Sequence, residues 1–238
     1  MGAPADPGVW WVLRTYAPLR HAPVGGPWSF GARPRHVAAP GAATAPTTDD
    51  GPDHAAAVAH LVRRYLAAFG PATVHDAARF ARLPVGRIRA ALDTLADDLV
   101  TFDGPGRAPL HDLSDAPRPG ADVPAPPRLL GMWDSVLLAH DDRTRILADE
   151  HRPLVIRRNG DTLATVLVDG QVAGVWRPVD GRIEVTPFHP WPDEVWDALA
   201  VEARDLAALL ADRDPAPYGR YDRWWAQLPQ AGRRLLPR

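Results

Sequence analysis

HAAAVAHLVRRYLAAFGPATVHDAARFARLPVGRIRAALDTLADDLVTF, residues 54–102, is the stretch whose periodicity decides the fold. In residues 54–71, Val58, Leu61, Val62, Tyr65, Leu66 and Phe69 recur at helical spacing and a Gly70-Pro71 stop follows. Asp53 stands just before this helix as a candidate N-cap. Thr73 is placed to cap a second helix, VHDAARFA, with Val74, Ala77, Ala78 and either Phe80 or Ala81 turned inward. Leu83-Pro84 makes a turn. A third helix over 85–97 buries Val85, Ile88, Leu92 and Leu95. LVTF then reads as a strand, DGPGR as a turn and PLHDL as the returning strand. Helix, helix, turn, helix and hairpin is the order of a winged helix-turn-helix, and it defines a unit over 54–113.

Around this unit the composition shifts. Residues 1–40 are rich in Trp and Pro. Val12-Leu13 and Trp28-Ser29-Phe30 read there as short strands around a Gly25-Gly26-Pro27 turn. Residues 41–53 read as a linker and 114–127 as a Pro-rich connector. After one helical stretch near 132–140 the period changes to that of strands. Asn159-Gly160, Asp169-Gly170 and Asp180-Gly181 are hairpin turns that separate LVIRR, TLATVLV, QVAGVWR and RIEV. They predict a four-stranded antiparallel meander, with Leu163, Leu167, Val172 and Trp176 on one face and Val166, Val168 and Val175 on the other. A helix over 192–213 offers Val195, Leu199, Leu206, Leu209 and Leu210 as its cover. The C-terminal unit thus spans 128–213, and a tail with Tyr218, Tyr221, Trp224 and Trp225 spans 214–238. The fold class is α+β.

The bulk numbers narrow the function. The chain has 238 residues and a formal net charge of −2, so any nucleic-acid partner must be met by a local patch. It has no cysteine, which excludes thiolate chemistry and disulfides. All 27 of its Lys+Arg residues are arginine, so a phosphate-binding loop with its lysine is excluded. The three serines, Ser29, Ser114 and Ser135, lie in no nucleophile motif. No apolar run reaches membrane-spanning length, and the N-terminus lacks the pattern of a signal peptide, which makes a cytoplasmic protein the default.

Two clusters carry the chemistry worth weighing. LLAHDDRTRILADEHR (137–152) crowds His140, Asp141 and Asp142 against arginines and against Asp149, Glu150 and His151. Adjacent residues diverge, whereas metal ligands converge from different elements. The same stretch therefore reads as a solvated loop in which Asp142 forms a network with Arg143 and Arg145, with no metal and no cofactor expected. His75-Asp76 and His111-Asp112 are further His-Asp pairs without an ordered set of partners. The second cluster is cationic: residues 77–92 hold Arg79, Arg82, Arg87 and Arg89 and no acid. On a helix-turn-helix this is an uncompensated patch where phosphate and base edges are met. Arg63 and Arg64 on the first helix and Arg107 in the wing add further phosphate contacts. Duplex DNA is the partner these residues favour.

Three blocks resemble one known family. HLVRRYLAAFGPATVHDAARFARLPVGRIRAAL (60–92), APPRLLGMWDSVLLAHDDRTRILADEHR (125–152) and RRNGDTLATVLVDGQVAGVWR (157–177) look like the bacterial winged-helix DNA-binding-domain family that includes the AlkZ-like DNA glycosylases, which unhook interstrand crosslinks. The resemblance spans about residues 55–210 and makes AHDDRTR a family signature rather than a metal site. It implies tandem winged helices around a DNA channel, with residues 1–40 the remnant of a preceding unit. Glycosylases of that family use a Gln-x-Gln or Gln-x-Asp motif near their N-terminus. This chain holds only Gln171, Gln227 and Gln230, in no such motif, so no catalytic residue carries over. The resemblance therefore implies a DNA-binding protein without glycosylase activity as it stands. Two other readings stay open. One is a DNA glycosylase of alkylation or crosslink repair whose reading frame extends upstream. The other is a protein-interaction module in which the exposed aromatic ends, Trp10-Trp11 and Trp224-Trp225, serve a partner or a homo-oligomer.

Overall fold

The computed structural model describes residues 7–23, 35–40, 52–104, 107–211, 218, 221–229 and 231–237. Helix α1 (Pro7–Tyr16) leads to an antiparallel pair, β1 (Leu19–Ala22) and β2 (Arg35–Ala38). Val12 and Leu13, expected in a strand, therefore lie in a helix. The Gly25–Pro27 turn and Trp28–Phe30 fall outside the described residues. Val9, Trp10, Val12 and Leu13 are exposed on α1.

Helices α2 (Pro52–Phe69), α3 (Val74–Ala81) and α4 (Val85–Thr94) follow. Helix α2 starts at Pro52, whose fixed φ suits a first turn, so Asp53 sits inside the helix rather than capping it. At its other end Gly70 is needed for space: a Cβ there would lie 2.7 Å from the Leu66 carbonyl oxygen and closer still to Asp112. Helix α3 opens on a full capping box. The Thr73 hydroxyl accepts from Asp76 N at 3.1 Å, and the Asp76 carboxylate accepts from Thr73 N at 2.8 Å. It closes on Arg82 in the left-handed conformation, φ 54°. Helix α4 ends at Thr94, short of the expected 97, because residues 96–98 tighten into a 3-10 turn. Strands β3 (Leu99–Asp103) and β4 (Pro109–Leu113) then pair in register from Leu99↔Leu113 to Asp103↔Pro109. This is the element order the sequence predicts.

A small core fills this helical unit. Val58, Val62, Tyr65 and Leu66 of α2, Ala77 and Ala78 of α3, and Ile88, Ala91 and Leu92 of α4 are buried together. Leu61 and Phe80, both candidates for the inward face, are 37% and 38% exposed. Ala81 takes the inward place that Phe80 leaves.

The second core is built on a five-stranded antiparallel sheet ordered β5-β6-β7-β8-β9. Its strands are β5 (Arg128–Leu130), β6 (Thr165–Val168), β7 (Gln171–Val179), β8 (Arg182–Pro187) and β9 (Arg234–Leu236). The β6–β7 and β7–β8 turns place Asp169-Gly170 and Asp180-Gly181 at positive φ in both positions, as two-residue hairpins require. LVIRR is not a strand. Its first residues form helix α6 (Arg152–Val155), and the Asn159-Gly160 turn closes only an isolated bridge, Ile156↔Thr162. The pattern failed there because Pro153 removes a ladder donor and suits a first helical turn. The expected helix near 132–140 is the single turn α5 (Ser135–Leu138).

Helix α7 (Asp193–Ala211) covers the sheet through Trp196, Leu199 and Ala203, while Leu209 is 47% exposed. The tail packs back. Tyr221, Trp224, Trp225 and Leu228, around helix α8 (Asp222–Trp225), are buried in this core, and β9 completes the sheet. Trp224 and Trp225 are thus core residues and not an exposed end. Among the described residues no helix is long and apolar enough to cross a membrane.

Ile88 is fully buried at the centre of the smaller core. Ile88→Ala is expected to cost about 2–5 kcal/mol of unfolding free energy. Chemical denaturation checks this; a loss well under 1 kcal/mol would mean that α4 is not packed as described.

Candidate nucleic-acid interface

On α4 the inward positions are Ile88, Ala91 and Leu92, which leaves Gly86, Arg89, Ala90 and Asp93 on the outer face. Small side chains at 86 and 90 let this face approach a surface closely, with Arg89 beside them. Arg82 projects from the left-handed turn between α3 and α4, and Arg107, at φ 65°, from the β3–β4 turn. Arg64, Arg82, Arg89 and Arg107 are all exposed. Among the described residues none of these four guanidinium groups forms an ion pair or hydrogen bond.

The other three expected contacts are placed differently. Arg63 pairs with Asp98 of the 3-10 turn. Arg87 is half-buried, with its guanidinium against the His54 imidazole at the start of α2. Arg79 is paired with Asp141, 62 residues away in sequence. The patch over 77–92 lacks acids in sequence, but the fold brings one to it. It is therefore not wholly uncompensated.

Asp141 belongs to the stretch that looked like a metal site, and the structure gives that stretch another task. Residues 139–145 form the seam between the two cores. Leu137 is buried in the larger core and Ala139 in the smaller. The Tyr65 hydroxyl donates to the Ala139 carbonyl at 2.9 Å. His140 Nε2–H donates to the Phe69 carbonyl at 3.0 Å. Asp141 N donates to Asp76 Oδ1 at 2.7 Å, and the Arg145 guanidinium donates to the Pro71 carbonyl at 3.2 Å. Asp142 forms no ion pair with Arg143 or Arg145, contrary to expectation. It accepts from Thr144 N and Oγ1 at 2.9 and 2.7 Å, while Arg143 turns inward to donate to the Leu137 carbonyl at 2.7 Å. Among the described residues no three His, Asp or Glu side chains are grouped as metal ligands.

Burial shapes the seam's titration. His140 is 6% exposed, and this burial, with the Arg145 charge, holds its imidazole below the ordinary value and hence neutral at pH 7. Burial works to raise the Asp76 carboxyl, but bonds from the Thr73 side chain and backbone and from Asp141 N, with His140 nearby, hold it below the usual carboxylate range. Burial also pushes the Tyr65 phenol up.

Comparison with known proteins adds to this geometry. The family model described as "DNA glycosylase AlkZ-like" matches residues 3–209. An interstrand DNA cross-link repair glycosylase of Streptomyces sahachiroi is 35% identical over 167 residues, which are 68% of this chain and 43% of that protein. The solved structure of the Streptomyces sahachiroi DNA glycosylase AlkZ superposes with a TM-score of 0.59 at 27% identity, over 84% of this chain and 53% of that one. The chain thus spans about half the length of the relatives it matches.

Both titrations make the fold acid-sensitive. The unfolded chain takes up a proton on His140 below a pH of about 6.5 that the folded chain resists, so stability falls as pH drops through that value. The Asp76 contribution is present above a pH of about 4, the ordinary carboxylate value, and is lost as pH falls through its lower folded-state value. The melting temperature is expected to fall between about pH 7.5 and pH 5.5, and less steeply in His140→Gln. A melting temperature that is flat or rises over that interval would contradict this.

Proposed function

Because the chain belongs to the AlkZ-like DNA glycosylase family, we propose that it binds duplex DNA, and that residues 54–113 are the winged helix-turn-helix that does so. The observation that carries this reading is the placement of exposed arginines without internal partners. Arg82 lies at the turn, Arg89 on the outer face of α4 and Arg107 on the hairpin. Those are the helix and wing by which such units meet a duplex. Arginine suits the task because its charge is permanent and its fork matches phosphate geometry. Arg64 and Arg87 are supporting contacts. Arg63 and Arg79 must first give up Asp98 and Asp141 before they reach a phosphate.

Base excision needs a group that activates water or stabilises a cationic sugar. The three glutamines of this chain, at 171, 227 and 230, lie in no Gln-x-Gln or Gln-x-Asp. We therefore take DNA binding as the first reading and name no excision residue among those present. The second reading, excision of alkylated or crosslinked bases, is favoured by its 35% identity to a crosslink-repair glycosylase. Incubation with duplexes carrying an alkylated base or a crosslink separates the two: released base or an abasic site establishes excision.

Binding is measured by fluorescence anisotropy across a salt series. The expected dissociation constant is micromolar or tighter at low salt, with log affinity falling linearly against log salt. Replacing Arg82 and Arg89 together by Ala should make that slope shallower by about two, since each lost phosphate contact removes about 0.9. An unchanged slope would remove these residues from the interface.

A further inference from the structure

Two of the three His-Asp pairs of the sequence, His75-Asp76 and His111-Asp112, are split by the fold, carboxylate to one side and imidazole to the other. Both carboxylates point inward: Asp76 is 3% exposed and Asp112 2%. Asp76 caps α3 and holds Asp141 N, while Asp112 accepts from Leu113 N at 2.9 Å and pairs with Arg118 at 3.4 Å. Alternation along β4, and the turn of α3 between successive residues, then send His111 and His75 to the other side. They line one cleft of about 380 Å³, which Arg89 of α4 also lines. A backbone bridge between Ala72 and His111, with N···O distances of 2.9 and 2.8 Å, holds the loop before α3 against β4 and fixes this arrangement.

We propose that this cleft is a phosphodiester site. It takes one backbone phosphate of a DNA strand running between α4 and the hairpin, with Arg89, His75 and His111 as its cations. The proposal rests on the DNA-binding reading and deepens it. Three basic side chains from three different elements converge on one concavity, and among the described residues Arg89 has no internal ion pair to give up. The charged and titratable groups facing His111 are His75 on α3 and Arg89 and Asp93 on α4. Ala72 is bridged beside it, and on β3 its pairing partner is Thr101. With the His111 imidazole neutral, Arg89 and Asp93 cancel, so a bound phosphate is better compensated when that imidazole takes up a proton. Burial keeps the His111 imidazole below its ordinary value in the free protein, and so leaves it neutral until a phosphate arrives. Binding is then linked to protonation and strengthens as pH falls.

The test is anisotropy with a labelled duplex at about pH 6 and about pH 8 at constant ionic strength. One proton taken up on binding changes affinity by at most about tenfold per pH unit, so the full chain is expected to bind several-fold tighter at the lower pH. His111→Gln should bind with most of this dependence gone. Arg89→Gln, an exposed position that leaves the core intact, should bind several-fold more weakly at both values. Asp93→Asn, which removes the one carboxylate that lines the cleft among the described residues, should bind more tightly. Wild-type affinity and pH dependence in both His111→Gln and Arg89→Gln would overturn the cleft while leaving DNA binding in place. No binding by the unaltered chain at low salt would overturn the DNA reading itself.

Discussion

Everything else in this fold leans on the backbone of residues 139–141. This short segment passes between two cores, and its polar groups find partners on the other side of the seam. Tyr65 donates to Ala139, and Asp76 accepts from Asp141. The neighbouring His140 returns a bond to the Phe69 carbonyl at the end of α2. A buried donor or acceptor left unpaired costs about 1–3 kcal/mol, so the segment has little freedom to settle elsewhere. Asp76 is the pivot. One oxygen closes the capping box of α3, and the other fixes the seam. The start of α3 and the docking of the sheet unit thus share a single carboxylate.

That constraint also sorts the arginines. Because the seam runs along α3, it brings Asp141 against Arg79 and takes one cation out of the acid-free patch. The pair is half exposed on both sides, and surface pairs of this kind are worth about 0–1 kcal/mol, so its effect is on the electrostatics of the face more than on stability. Arg82, Arg89 and Arg107 lie away from the seam and stay open. The basic face is therefore narrower than the linear run of arginines, and it is centred on α4 and the hairpin.

The helical unit was legible because its signals are local. Spacing of apolar residues, Thr73 before Asp76 and the Gly70-Pro71 stop each act within a few residues, and α2, α3, β3 and β4 follow from them. The two-residue turns at 169–170 and 180–181 were legible for the same reason. What sequence could not carry was pairing at a distance. β5 and β9 are three-residue strands that exist only because neighbours 37 and 51 residues away, at their central pairs, accept them. LVIRR has strand composition, yet Pro153 and the start of α6 claim its first residues. For the site, the arginines were visible but their partners were not. Asp141 reaches Arg79 across 62 residues, and no local pattern reports that. The His-Asp pairs drew notice as possible metal ligands. At His75-Asp76 and His111-Asp112 the fold sends Asp inward and His outward, so neither pair converges as metal ligands do.

The most direct test of this account is hydrogen exchange of the whole chain with and without duplex DNA. Slowed exchange confined to α4, the β3–β4 turn and the loop before α3, with residues 165–187 of the sheet unchanged, is the result the account predicts. Slowed exchange on the sheet alone, or none anywhere when DNA is bound, would contradict it.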